Sequence, residues 1–196
     1  MKSQASQLIR PDETLVIEVP AGPSSFAQVM DATVFDFAGT GAITWIADSG
    51  GSAPNEEAAP VRIVINPETA ETASTVARYL LLVHEQTHAA TINWLGYPAA
   101  GQLWVSEGLA EAVMLQASPE SQQRSKTMLA DACEFFGPPP SDSDFADTVR
   151  ADVAYAWSAA AVTELLADPD ATAVISRLWT ESGSQPDVGS SQVWCS

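Results

Sequence analysis

Residues 61–96 read VRIVINPETAETASTVARYLLLVHEQTHAATINWLG, and the change of pattern within them decides the fold. Val61-Arg62-Ile63-Val64-Ile65-Asn66 is a β-branched run with alternating apolar positions, closed by Pro67, and reads as a strand. Residues 73–94 hold no Gly or Pro and are rich in Ala and Leu. They stop at Gly96 with Pro98 beyond, the punctuation of a helix C-terminus. Upstream the strand signals continue. Thr14-Leu15-Val16-Ile17-Glu18-Val19 ends at Pro20, while 33–37 and 42–47 are short apolar runs parted by Gly39-Thr40-Gly41. A short helix is expected over 24–32 and a Gly/Ala/Ser/Pro-rich loop over 48–60. Downstream the signals are helical: 105–117; 119–137, opened by Ser118 as cap and Pro119 at the first helical position; a restart at Ser141-Asp142-Ser143-Asp144 after three prolines; then 152–167 and 171–181. Strands first and helices afterwards define an α+β fold, a small N-terminal mixed β-sheet packed on the 73–94 helix and followed by an all-helical second half. The expected organisation is one compact domain over 1–196, mostly β to 68, mostly α over 69–182, with a loose Ser/Gly-rich tail over 183–196.

Composition bounds the function. A chain of 196 residues, 46% hydrophobic, buries a sizeable core without metal or disulfide staples, so a metal here is functional rather than structural. Asp and Glu number 25 against 8 Lys and Arg, a net charge of −17. That balance excludes a phosphate backbone or an anionic membrane surface as partner, because both need clustered cations. The acidity reads as solubility in preference to attraction of cationic substrates. No apolar run reaches the length of a membrane span. The first residues, MKSQASQLIRPDE, lack the apolar stretch of a secretory signal. Either the protein is cytosolic or the chain is a trimmed piece of an exported precursor. Cys133 and Cys195 are too few for a disulfide framework; they either pin the tail to a helix or are separate thiols.

The only two histidines stand four residues apart in His84-Glu85-Gln86-Thr87-His88. Positions i and i+4 share a helix face, so both rings point to one spot with Glu85 alongside. Imidazole nitrogens are good zinc ligands, and an adjacent carboxylate can take a proton from a metal-bound water. A shuffled chain would show this pattern roughly once in a thousand, so chance explains it poorly. The bland alternative, two polar residues on a surface helix, is weakened by the apolar 78–83 stretch just before them, which predicts a mostly buried helix, and buried rings need partners. Two histidines need a third protein ligand, expected on an element that returns to this helix. After Gly96, Pro98 and Gly101 comes Leu103-Trp104-Val105-Ser106-Glu107-Gly108-Leu109-Ala110-Glu111-Ala112, with 18 residues between His88 and Glu107.

His-Glu-x-x-His followed by Glu in Trp-x-x-Glu-Gly-x-Ala resembles the gluzincin metallopeptidases, the clan of thermolysin and the zinc aminopeptidases. The 18-residue gap is that of the aminopeptidase branch, and the short chain is more similar to small peptidase-MA-like bacterial proteins. The resemblance covers 61–112 and, loosely, 150–180; the first sixty residues carry none. It implies one Zn2+ held by His84, His88 and Glu107, with Glu85 as general base. Glu107 also suits the first turn of its helix through the helix dipole. Glu111, one turn on, either hydrogen-bonds a ligand histidine, as the acid at this spacing does in thermolysin-like enzymes, or is a solvated helix charge. Ala112 stands where such families often carry Tyr. Tyr155, in a helix similar to the Tyr-bearing helix of the aminopeptidases, either stabilises the oxyanion or is a core aromatic; Tyr79 and Tyr97 are the other tyrosines. The strand 61–66 is by resemblance the substrate-binding edge, or else an ordinary internal strand with Arg62 solvated. The six tryptophans are scattered and are expected to pack the core, and Trp104, beside the third ligand, either does so or lines the site wall. The implied activity is hydrolysis of a peptide or protein substrate, endopeptidic because no motif grips a free N-terminus. The rivals are a zinc-binding but non-hydrolytic regulatory protein and a purely structural helical domain.

Overall fold

A computed structural model describes residues 15–29, 40–46, 61–131 and 139–182. Two compact units divide between Asn93 and Trp94. In the first, three strands among the described residues form a mixed sheet in the order β1 (Val16–Glu18), β3 (Val61–Ile65), β2 (Ala42–Ile46). β1 runs parallel to β3 with Ile17 opposite Ile63, and β2 runs antiparallel with Thr44 opposite that same Ile63. β3 is therefore the central strand, hydrogen-bonded on both sides. This corrects the expectation that 61–66 forms the substrate-binding edge. Ile63 and Val64 point to opposite faces and both are fully buried, as the nearly unbroken apolar run of a two-sided strand requires.

Helix α1 (Pro23–Val29) lies between β1 and β2 in the chain and buries Phe26 and Ala27. A helix absent from the sequence expectations, α2 (Pro67–Thr72), follows β3 directly. Its cause is local: the Asn66 side chain accepts from Glu68 N at 3.0 Å, and Pro67 takes the first helical position, where a missing N–H costs nothing. Ser74 then caps α3 (Thr75–Leu95), its Oγ accepting from Ala77 N at 3.1 Å. Burial of α3 differs from expectation. Residues 75–79 are exposed and 80–83 partly so, and the buried face begins at His84, running through Glu85, His88, Ala89 and Ile92. Ala89 and Ile92 cluster with Val61 of β3, and Leu15 packs against them.

The second unit is helical: α4 (Leu103–Gln116), α5 (Pro119–Asp131), α6 (Ala151–Leu165) and α7 (Ala171–Thr180). Gly96 and Gly101, in the loop before α4, both have positive φ, which glycine adopts without strain. The loop is tied to α7, with Trp179 Nε1 donating to Gly96 O at 3.0 Å and Ala99 N donating to Trp179 O at 2.8 Å. Ser118 caps α5 as its position implies, accepting from Ser121 N at 3.2 Å. The expected helical restart at 141–144 is instead a short 3-10 turn, Asp142–Phe145, with α6 beginning later. The core of this unit joins Trp104, Val105 and Leu109 of α4 to Trp157 and Val162 of α6 and to Ile175, Leu178 and Trp179 of α7. At the α4–α6 crossing Gly108 is obligatory, because a Cβ there would stand 2.4 Å from Ser158 O. The run 33–37, the loop 48–60, Cys133, Gly137, Cys195 and the tail 183–196 lie outside the described residues. Among those described, no helix is long and apolar enough to cross a membrane.

Candidate metal centre

His84 and His88 project from successive turns of α3 and are 9% and 8% exposed. Their Nε2 atoms are 3.0 Å apart, with ring planes inclined at 77°. Without an ion, that contact requires one Nε2 to carry a proton and the other to offer its lone pair. Two imidazole nitrogens at about 2.0–2.1 Å from a tetrahedral ion would stand about 3.3 Å apart, so the pair needs to open by only a few tenths of an ångström. Glu107 lies on α4, in the second unit, and is partly buried. His84, His88 and Glu107 are of the donor types that could hold a metal ion. Two imidazoles with one carboxylate is a donor set that suits borderline divalent ions.

Glu85 is 5% exposed and is satisfied from β2. Thr44 Oγ donates to Glu85 Oε2 at 2.7 Å and lies 2.9 Å from the backbone oxygen of the same residue. A buried carboxylate without hydrogen bonds is costly, and the charge-assisted bond from Thr44 offsets part of that. Glu85 Oε1 accepts none from the described residues. The neighbouring buried threonines make no call on the site. Thr87 bonds back to Val83 O at 2.9 Å, and Thr91 to Thr87 O at 2.8 Å.

Glu111 follows Glu107 by one turn of α4 and is partly buried. Tyr155 lies on α6 with its ring edge-on to Phe145, centroids 5.1 Å apart. Tyr79 and Tyr97 are each 57% exposed. Of the two readings of Trp104, core packing holds. The residue is 1% exposed, donates from Nε1 to Gln102 Oε1 at 3.1 Å, and packs edge-on against Trp157 at 5.6 Å. It is a core residue and not a wall open to substrate. Arg62 is neither free nor fully solvated, with Nη1 3.7 Å from Glu18 Oε2.

Three residues with a part in this architecture carry weak or no sequence signals. Thr44 is an unremarked strand threonine. Gly108, an isolated glycine in a helical pattern, is a poor helix former whose packing role the pattern alone does not reveal. Asp142 caps α4 from the 3-10 turn, accepting from Gly101 N at 3.0 Å and Leu103 N at 3.3 Å, while Gln102 at the cap position makes no side-chain cap bond. In the same turn Asp144 accepts from the side chain and backbone N–H of Ser141 and pairs with Arg150. These partners hold its carboxyl below the usual value despite some burial. Compared with known protein families, curated proteins and solved structures, the chain matches none.

Proposed function

We propose that the chain is a zinc-dependent peptidase of gluzincin type, with His84, His88 and Glu107 as metal ligands and Glu85 as general base. The observation carrying this reading is the pairing of the His84 and His88 Nε2 atoms, 3.0 Å apart on one helix face, with a buried carboxylate one residue along from the first histidine. The contacts of Thr44 and Val61 with α3 fit a sheet laid on the metal-binding helix, the arrangement such enzymes use. Zinc, when bound, supplies Lewis acidity and a lowered pKa for its water. Glu85 Oε1, which accepts no bond from the described residues, takes the proton of the attacking water and passes it to the departing amine nitrogen. Tyr155 is the candidate oxyanion donor, and Glu111 the candidate partner of a ligand imidazole. An extended substrate would lie along β2, which carries Thr44 and pairs with β3 on one side only among the described residues.

The test is protein purified without added metal, analysed for bound elements and assayed on a quenched-peptide library with a chelator control. One zinc per chain, chelator-sensitive cleavage, and a Glu85→Gln variant that keeps the metal but loses about 10²-fold or more of turnover are expected. Zinc without cleavage would move the chain to the non-hydrolytic metal-binding proteins. Metal-free, inert protein would leave a structural helical domain.

A further inference from the structure

We infer that Thr44 is a positioning residue for the Glu85 carboxylate, fixing which of its two oxygens receives a proton. The inference rests on the peptidase reading above and adds to it a residue on a different element from the motif. Thr44 is held by the sheet. Its strand β2 pairs antiparallel with β3 over five register positions, Thr44 opposite Ile63, and Ile63 is fully buried. From that fixed base the hydroxyl reaches Glu85 Oε2 at 2.7 Å.

A hydroxyl has one proton and so makes one good donor bond at a time. Two acceptors compete for it, Glu85 Oε2 at 2.7 Å and Glu85 O at 2.9 Å. The shorter contact is to the group that bears charge, and charge-assisted bonds are about twice as strong as neutral ones, so the carboxylate takes the proton. The backbone oxygen already has a helical role in α3 and loses little. The consequence is an asymmetric carboxylate. Oε2 is engaged by a rigid donor, and Oε1 is left as the proton-accepting atom. Without Thr44 the side chain gains rotameric freedom, and a base displaced by about an ångström costs on the order of 10²-fold in rate. A purely structural bond would lower stability and leave the chemistry of the folded fraction alone.

Two measurements separate these roles. The first needs neither metal nor turnover: a double-mutant cycle of Thr44→Val and Glu85→Ala on urea unfolding of the metal-free protein. Both variants leave the backbone acceptor in place, so the cycle reads the side-chain bond net of the backbone bond to which the hydroxyl turns when the carboxylate is gone. A coupling of about tenfold in the unfolding constant is expected, within the usual range for contacting pairs. No coupling overturns the contact. The second compares Thr44→Val and Thr44→Ser in the zinc-loaded protein. The expected result for Thr44→Val is kcat lower by about 10-fold or more, with KM and zinc content within about twofold of wild type, and recovery of most of the loss in Thr44→Ser. Wild-type kcat in Thr44→Val, or a loss that serine does not restore, overturns the positioning role. An inert wild-type chain overturns the peptidase reading and this catalytic part with it, while the unfolding cycle still decides whether Thr44 holds the carboxylate.

Discussion

The Nε2 atoms of His84 and His88 lie 3.0 Å apart, on successive turns of one helix, with both rings less than a tenth exposed. Nitrogens so close share either a proton or a cation, and a cation that takes the proton's place binds only the folded arrangement. Zinc at about a hundred times its Kd should therefore add about 2.7 kcal/mol to the unfolding free energy of the metal-free chain. His88→Ala and Glu107→Ala should each weaken binding by at least about tenfold and remove about half or more of that gain at the same zinc concentration. Thermal melts with and without zinc read both effects. A wild-type melting temperature indifferent to zinc would end the metal-centre assignment.

How much of this is legible in the sequence follows from the range of each interaction. His84 and His88 are set on one face by helical spacing, which is local. The helix α2 is local too, since Asn66-Pro67-Glu68 is a cap followed by a proline at the first helical position, and a closer reading of those three residues would have found it. The central place of β3 is not local. Whether a strand is edge or interior depends on which others pair with it, although the apolar run Ile63-Val64-Ile65 carries the two-sided pattern of an interior strand. The apolar residues 79–83 mislead about where α3 is buried, because hydrophobic content does not say which turn meets the core. Thr44 and Asp142 are illegible for the same reason in stronger form: each acts on a partner about 40 positions away.

Gly108 sets the distance between α4 and α6. An ideal Cβ at this position would lie 2.4 Å from Ser158 O and 2.7 Å from Val162 Cγ2. Alanine is the better helix former by about 1 kcal/mol, so propensity alone predicts that Gly108→Ala stabilises. The clash is with backbone, which cannot rotate away, and overpacking of this kind costs about 1–3 kcal/mol or more. The steric effect should win, giving a net loss of about 2 kcal/mol in urea denaturation. A variant as stable as wild type would show that the two helices are farther apart than described.

Asp142 joins the 3-10 turn to the start of α4 through Gly101 N and Leu103 N. These are N–H groups at a helix start, where a carboxylate also meets the positive end of the helix dipole. Asp142→Ala should cost about 1 kcal/mol, with Asp142→Asn losing less because the amide oxygen still accepts. Amide hydrogen exchange gives the local reading. Gly101 and Leu103 should exchange faster in Asp142→Ala, while Ala161 and Val162 in the middle of α6 change only with global stability. Unchanged exchange at both amides would mean that water or another group caps α4.

Asp144 gives the fold a defined acid sensitivity. Its carboxylate accepts from Ser141 Oγ and Ser141 N, each at 2.8 Å, and pairs with Arg150 at 2.7 Å; the Ser141 bonds are the main cause of its lowered pKa. A group whose pKa is lower folded than unfolded binds protons more readily in the unfolded chain. Its contribution is complete above the ordinary value of 3.8 and is lost as pH falls through the lower folded value. Asp144→Asn should therefore be less stable than wild type by about 1 kcal/mol at pH 7, with the gap closing only below about pH 4. Arg150 has a side chain 68% exposed, so its ion pair is screened and contributes little. High salt should accordingly leave most of the gap intact at pH 7. Urea titrations at pH 7, 5 and 3, with and without salt, test both parts. An equal gap at pH 3 and 7 would refute the protonation linkage, and its collapse in salt would shift the main contribution from Ser141 to Arg150.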